Sequence, residues 1–411
     1  MNRGQHSEAS GTQGGDLCGE GGTHPFESTF AGRRVLVTGH TGFIGSWLSE
    51  WLLLLGAKVT GLSLAEPPSQ PSLFEELGLR ARLASDDRAD IRDLDAVVGL
   101  VSEARPEFLF HLAAQPIVRR SFESPHLTVT TNALGTLNVL EALKRGFDDP
   151  SASDHRGRCV AVMVTTDKVY ENREWLCAYR EHDKLGGRDP YSASKACAEI
   201  LIAAFRDSFF GDTGDSRRGR VALASARGGN VLGGGDWSVD RILPDAMRSF
   251  STGKPLTVRN PDSTRPWQHV LDLVGGLLLL GARLDDKLRD RELNSDTGNR
   301  ECFGELCGAY NFGPLVTSNL TVAALVAEIR RHWPGDVEMQ AEVTGLHEAG
   351  RLNLAIDRAY HLLNWAPRWN FAETVARTVG WYKRFYEAEN RTPDTVRQLV
   401  DEQIAAYSAG T

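Results

Sequence analysis

The sequence predicts an α/β fold, a doubly wound parallel sheet followed by a smaller C-terminal α/β domain for substrate. Three observations predict it. A short β run, Arg34–Thr38, leads through Gly39-His-Thr-Gly42-Phe-Ile-Gly45 into a helical pattern from Ser46 to Leu55. Strand, glycine turn and helix in that order are what a dinucleotide site needs. Further β runs alternate with helical patterns, as in a sheet built of βαβ units. The run Val162–Val164 then breaks into Thr165, Thr166, Asp167 and Lys168 and is followed by Tyr191-Ser-Ala-Ser-Lys195. An apolar run that turns polar at its end is a buried parallel strand opening into a site. Ligands of such sheets lie outside the carboxyl ends of the strands, so the pattern is of Rossmann type.

Composition narrows the function classes. The chain has 411 residues, 41% hydrophobic and 24% charged, with a net charge of −8. That is ordinary for a globular protein of one large or two modest domains and does not suggest a nucleic-acid partner. The basic residues are 38 Arg and 8 Lys, a skew that reads as genome base composition. The six Cys form no C-x-x-C pair, and Cys159 and Cys197 fall in apolar contexts. Both are expected to be reduced core thiols of a cytoplasmic protein. No apolar run approaches the roughly 20 residues that span a bilayer, so no membrane partner is expected. Residues 1–30 are rich in Gly, Ser, Thr and His without a secretory pattern, and read as a disordered tail.

Taken in order, each element has its reason. In the first turn Gly39 permits the tight bend, Gly42 lets backbone approach a pyrophosphate, and Gly45 lets helix pack on strand. The spacing is G-x-x-G-x-x-G. Ala57–Leu64 reads as the second strand. An acid is expected near its end to hold the ribose hydroxyls, about 20 residues past the first glycine, but Ser63 stands there with no Arg close behind. The residues alone therefore leave NAD and NADP both open. Ala89–Asp93 fits a strand end whose Asp90 faces the adenine, or a surface loop. Glu107–Gln115 is a fourth β run, whose small Ala113 and Ala114 let a cofactor lie close. Thr131–Ala142 is an amphipathic helix, and Asn132 either binds backbone near the site or sits on its surface. Tyr191 and Lys195, four residues apart, share one helix face.

Val221–Ser225 forms a sixth strand and ends in the glycine-rich Gly228–Gly235, which marks backbone passing close to something. The first domain is placed at 31–228 and the mainly substrate-binding one at 229–400, with some chain returning to the first sheet. Arg259, Arg265, Trp267 and His269 make a segment able to hold a diphosphate and a base or sugar, or else a solvated loop. The charged stretch 285–307 looks like an inserted loop. A strand at Ala309–Gly313 and helices at Val322–His332 and Ala372–Asn390 close the pattern.

These motifs together resemble the extended short-chain dehydrogenase/reductase superfamily over roughly residues 32–380. Within it they resemble the nucleotide-sugar 4,6-dehydratases, and most closely the subgroup acting on CDP-glucose. The likeness rests on Thr38–Leu48, Pro71-Ser-Leu-Phe74, Thr166-Asp-Lys-Val-Tyr-Glu-Asn172, Asp189–Lys195, Gly229–Trp237 and Arg265–Val270. Asp167-Lys168 is the telling pair. Related dTDP- and GDP-sugar dehydratases usually carry Asp-Glu there, so Lys168 departs from the wider pattern but looks like the CDP-glucose subgroup. The missing acid at Ser63 also resembles that subgroup, which implies NAD.

The resemblance implies oxidation at sugar C4, elimination of water across C5 and C6, and reduction at C6, with internal hydride transfer through bound NAD. Tyr191 would take the C4 hydroxyl proton, aided by Lys195, and Thr166 would bind that oxygen. Lys168 would remove the C5 proton and Asp167 would protonate the departing C6 hydroxyl. The implied cofactor contacts are Gly39, Thr41, Gly42, Phe43, Ile44, Gly45, Ser63, Asp90, Ile91, Leu112, Ala113 and Ala114, with Tyr191 and Lys195. The implied substrate contacts are Gln115, Asn230, Trp237, Arg241, Arg259, Arg265 and His269, and no metal is implied. The superfamily pairs through a helix bundle, which implies a homodimer or homotetramer. The rival functions are a nucleotide-sugar 4-epimerase, which needs no acid–base pair at Asp167 and Lys168, a dehydratase for another nucleotide hexose, a decarboxylase or reductase of the superfamily, and a non-catalytic NAD-binding protein.

Overall fold

The central sheet forms because six short runs are apolar enough to be largely buried, while a seventh, the polar Ser85–Arg88, closes one edge. The computed structural model describes residues 26–147, 157–210, 220–293, 303–339 and 350–410. Its strands in chain order are β1 (Arg34–Thr38), β2 (Lys58–Ser63), β3 (Ser85–Arg88), β4 (Phe108–His111), β5 (Cys159–Val164), β6 (Val221–Gly228), β7 (Asn230–Leu232), β8 (Leu256–Val258), β9 (Thr264–His269), β10 (Ala309–Phe312), β11 (Asn319–Thr321) and β12 (Val337–Met339). Seven of them make one sheet in the order β10-β6-β5-β4-β1-β2-β3, with every pairing parallel. The order reverses between β1 and β4, where a crevice opens at the strand ends.

Alternation along the strands divides the core. Val35, Val37, Val160 and Val162 join one apolar cluster, while Leu36, Leu109, Ala161 and Met163 join another, as a period of two requires. The helix Phe43–Leu54 lies on the first face with Val270–Leu293 and the C-terminal Pro393–Ala409. The helices Leu94–Ala104, Gly135–Phe147 and Pro190–Phe205 cover the second face. β7, β9 and β11 form a three-stranded sheet, and β8 pairs with β12.

Several expectations are corrected. The third strand ends at Arg88, and Asp90 begins a turn because its carboxylate accepts from Arg92 N at 2.9 Å and Arg92 Nη2 at 2.6 Å. Residues 26–30 are packed: Phe26 and Phe30 are buried against Trp51 and Phe108, while 1–25 lie outside the described residues. Cys159 is buried but Cys197 is exposed, because this helix turns Tyr191, Lys195, Ala198 and Ile202 inward. The charged stretch after 285 continues a helix to Leu293. Asp285 is buried and carries Arg33 at 3.1 Å, Arg158 at 3.3 Å and Arg289 at 2.7 Å. Residues 294–302 lie outside the described residues.

The final helix, Pro393–Ala409, opens on the N-cap Thr392, whose side chain accepts from Thr395 N at 3.3 Å. It carries Tyr407 to Asp272, whose Oδ1 accepts from the Tyr407 hydroxyl at 3.0 Å and Arg368 N at 2.8 Å. Burial pushes the Asp272 carboxyl up to about 7, against those two hydrogen bonds. The folded chain thus holds this proton more tightly than the unfolded one, whose carboxyl titrates near ~3.9. Stability from this group is complete below that value and declines as pH rises toward 7. Thermal melts are expected to show Asp272→Asn with a flatter pH dependence between about 4 and 7 than the parent. Equal slopes would show that Asp272 does not titrate there.

Candidate active site

The end of β5 is where sheet pairing gives way to chemistry. Thr165 N still donates to Ala226 O at 2.8 Å. Thr166 then caps a short turn, Asp167–Val169, accepting from Lys168 N at 3.4 Å. Its hydroxyl donates to Asp167 Oδ1 at 2.9 Å, which also receives Lys168 Nζ at 3.0 Å. Asp167 is wholly buried, and its Oδ2 has no hydrogen-bond partner. A buried carboxylate oxygen left unpaired is costly, and beside Lys168 and Tyr191 it is available to a ligand group.

The helix Pro190–Phe205 brings the second half. Pro190 sits at its first position, and its N-cap Asp189 accepts from Ser192 N at 2.8 Å, so the helix starts one residue before Tyr191. The Tyr191 phenol lies beside Thr166, within the fields of Asp167 and Arg241. Burial pushes its phenol up to about 12, which the Thr166 hydroxyl partly offsets. Lys195 is also buried; its Nζ donates to Val164 O at 3.2 Å. Burial brings it down to about 8, against the negative charge of Glu199. Thr166, Asp167, Lys168, Tyr191 and Lys195 therefore share one place.

A dinucleotide has a cradle beside it. Gly39 has φ +76°, and a Cβ there would meet Ala113 N at 2.7 Å; a Cβ on Gly45 would meet the Gly39 carbonyl oxygen at 2.2 Å. The helix behind has Gly42 as N-cap, with no side-chain cap and no acid in its first turn. Its first N–H groups thus remain for an anion. Thr41 and Ser63 are buried, with Thr41 N donating to Ser63 Oγ at 3.4 Å. Leu112, Ala113 and Ala114 follow β4 and are half-buried; Ile91 is buried against Gly135. Phe43 and Ile44 are half-buried in the helix's first turn.

Sequence reasoning passed over His40 and Asp86. His40 Nδ1 meets Ser63 Oγ at 3.1 Å, and Nε2 meets Asp86 Oδ1 at 2.7 Å. The acid absent from the end of β2 thus has a counterpart on β3, reached through an imidazole. Only the pairing of β2 with β3 reveals it.

The expected substrate contacts divide. Asn230 keeps a buried, unpartnered Oδ1. Arg241 pairs with Asp236 at 3.1 Å, and Arg259 with Asp240 at 3.1 Å. Arg119, absent from the expected set, stands 3.7 Å from the same Asp240. Arg265 is half-buried and donates to Thr264 O at 2.9 Å. Three residues are placed otherwise. The amide of Gln115 is engaged in its own turn, with Ile117 at 2.7 Å and Thr128 at 2.9 Å. Trp237 lies in an aromatic cluster with Trp381, Tyr382 and Phe385, and its Nε1 donates to the Tyr386 hydroxyl at 3.1 Å. His269 is wholly buried between Trp47 and Trp369, accepts from Leu271 N, and is held neutral, near 3, by burial. Trp237 and His269 are core side chains. A cavity of about 580 Å³ lined by Trp175, Cys177, Arg180, Leu315 and Val316 contains none of the expected residues. Among the described residues no group of three or more His, Cys, Asp and Glu could hold a metal, and no helix is long and apolar enough to cross a membrane.

Comparison with known proteins adds the lineage. The profile of the GDP-mannose 4,6 dehydratase family matches residues 36–378. The chain belongs to this family. It is 41% identical over 372 residues to a CDP-glucose 4,6-dehydratase of Salmonella typhimurium, covering 90% of this chain and 96% of that one. Its fold is that of an epimerase from Methanothermobacter thermautotrophicus, at a TM-score of 0.68 and 24% identity over 89% of this chain and 96% of that one. It is equally that of a dTDP-glucose 4,6-dehydratase double mutant from Streptomyces venezuelae with NAD bound, at 0.65 and 24% identity over 86% and 98%.

Behind this cluster lies a buried ion pair. Arg227 Nη2 donates to Glu199 Oε2 at 2.8 Å, with both side chains nearly inaccessible. Removing one partner of such a pair leaves a stranded charge, at a cost of about 3–5 kcal/mol, whereas removing both costs less. Urea denaturation is expected to show Arg227→Met destabilised on that scale and Glu199→Gln/Arg227→Met recovering much of the loss. A double variant as weak as the single one would rule out a stranded charge.

Proposed function

We propose that this chain is a nucleotide-sugar 4,6-dehydratase that converts CDP-glucose to CDP-4-dehydro-6-deoxy-glucose and water with NAD as cofactor. The observation that carries the reading is the buried, unpartnered Oδ2 of Asp167, set beside Thr166 and Lys168 and close to Tyr191. An epimerase has no use for an acid and an amine at that point. The identity with the Salmonella enzyme supports CDP-glucose as the substrate.

The Gly39–Gly45 turn, with Ser63 and the Leu112–Ala114 segment, would hold NAD, which would supply a hydride acceptor for sugar C4 and a hydride donor for C6. Tyr191 takes the C4 hydroxyl proton. Its phenol, at about 12, stays protonated near neutral pH unless positive charge is brought against it. Lys195, on the same helix face and at about 8, carries such a charge at neutral pH. Thr166 holds the C4 oxygen. The C4 ketone acidifies C5–H, the neutral amine of Lys168 receives that proton, and the protonated Asp167 delivers one to the departing C6 oxygen, which leaves as water. As hydride is returned to C6, Lys168 gives its proton back to C5, and the proton held by Tyr191 passes through solvent to restore Asp167, so the net change is the loss of one water. Asn230, Arg241, Arg259 and Arg265, with Arg119, serve the nucleotide and its diphosphate. We place the enzyme in the cytoplasm.

Incubation with CDP-glucose deuterated at C4, with NAD added, tests the reading by mass spectrometry. The expected product is lighter by one water and keeps the deuterium, now on C6. A product of unchanged mass inverted at C4 would make the chain an epimerase. Loss of water from UDP-, dTDP- or GDP-glucose alone would overturn the nucleobase.

The same helix that carries Tyr191 presents Ile200 outward, 58% exposed, near Leu134 and Val129 at 49% and 40%. We assign this apolar face to pairing between two copies, giving a homodimer or a dimer of dimers. A sizing column is expected to show an oligomer at micromolar concentration and monomer for Ile200→Lys. A monomeric parent would overturn this.

A further inference from the structure

Glu199 lies two helical turns beyond Tyr191 and one beyond Lys195, on their face of the helix. It touches none of the atoms assigned to the reaction, yet it is engaged on every side. Thr165 Oγ1 donates to Oε1, Ser225 Oγ donates to Oε2 at 2.9 Å, and Arg227 Nη2 donates to Oε2 at 2.8 Å. One carboxylate thus joins the helix to the ends of β5 and β6, immediately before Thr166. We propose that Glu199 is a positioning residue for the redox step, its buried negative charge holding the Lys195 ammonium while its hydrogen bonds fix the strand end that carries Thr166.

The surroundings single out this charge. Burial opposes ionisation of Glu199, but Arg227, Thr165 and Ser225 hold its carboxyl below the ordinary range, so it stays an anion. The other titratable groups nearby supply no such charge. His111, reaching in from β4 between Thr38 at 2.7 Å and Thr136 at 3.1 Å, is held near 3 by burial and is neutral. The Tyr170 phenol is raised by burial and stays protonated, accepting from Arg227 Nη1 at 2.8 Å. Glu181 offers Arg227 its backbone carbonyl at 3.0 Å and turns its carboxylate to Asn311 N at 2.9 Å. Tyr191 lies one turn back on the same helix and is neutral at rest. Asp167 acts on Tyr191 and pairs with Lys168. The opposite charge that acts on Lys195 is that of Glu199. Arg227 keeps the carboxylate ionised in the interior, where alone it would take up a proton. Together they form a relay of alternating sign running from Arg227 through Glu199 to Lys195.

The inference rests on the redox role proposed for Tyr191 and Lys195, and its test separates the two. Protein carrying 13Cε-lysine holds only eight labelled residues, and Lys195→Arg identifies the Lys195 signal. In Glu199→Gln the Lys195 titration midpoint is expected to fall by about one pH unit. Thr165→Val, which removes a hydrogen bond and leaves the charge, is expected not to move it. The alkaline limb of turnover with CDP-glucose should shift by the same amount in Glu199→Gln. Should Glu199→Gln fail to fold, Glu199→Gln/Arg227→Met, which strands no charge, takes its place with the same expectation. An unmoved midpoint, or turnover reduced equally at all pH values, overturns the proposal. A shifted midpoint in a protein inert toward every sugar nucleotide would uphold the role of the Glu199 charge and overturn the proposed reaction.

Discussion

The need to keep buried charge paired governs the centre of this molecule. Asp167, Lys195, Glu199 and Arg227 lie within or beside the sheet, each less than a tenth exposed. Such groups persist in the interior only with partners close by. The partners come from β5, β6 and one helix, so the relative placement of those three elements is dictated by hydrogen bonds as well as by apolar contact. Strand β6 is wholly buried along its length and still carries Ser225 and Arg227 among its alanines. The small residues let the helix approach; the two polar ones meet the carboxylate that it brings.

The fold was legible because its signals are local. A glycine turn between strand and helix, and a strand that turns polar at its end, each occupy a dozen residues or fewer, and each fixes both an element and its direction. The helix Val322–His332 was bounded correctly by its periodicity. The five central side chains were legible for the same reason: two short motifs carry them all. What failed depended on distance along the chain. The charges after 285 read as a loop because the arginines that neutralise Asp285 include one some 250 residues away, Arg33. His269 and Trp237 looked like ligand groups because polar or aromatic residues among prolines and glycines resemble a binding loop. Their aromatic neighbours Trp369 and Trp381 come from a region that no local pattern links to them.

The substrate side was therefore less legible than the cofactor side. A dinucleotide turn is a contiguous device, whereas Asn230 takes its place only when β7 pairs with β9, and Arg119 meets Asp240 only when the loop after β7 has closed toward residue 119. The same holds for His40, which acquires meaning only when β3 delivers Asp86. Within this structure, residues that act through neighbours in sequence were visible, and residues that act through neighbours in space were not.

The order of the sheet has a consequence for how the chain is made. β6 lies between β5 and β10, yet β10 follows it by some eighty residues. As the chain leaves the ribosome, the outer edge of β6 emerges with its apolar side chains and unpaired backbone groups exposed, and it waits for β7, β8, β9 and the long Val270–Leu293 helix before its neighbour arrives. The last helix, Pro393–Ala409, later still brings Tyr407 against Trp51 near the other end of the chain. Synthesis thus leaves a half-built sheet open for several seconds at ordinary translation rates of roughly 5–20 residues per second. A protein built this way depends on whatever shields nascent edges in its cell, and a chain broken off before Ala309 would carry the complete catalytic motifs on an incomplete sheet.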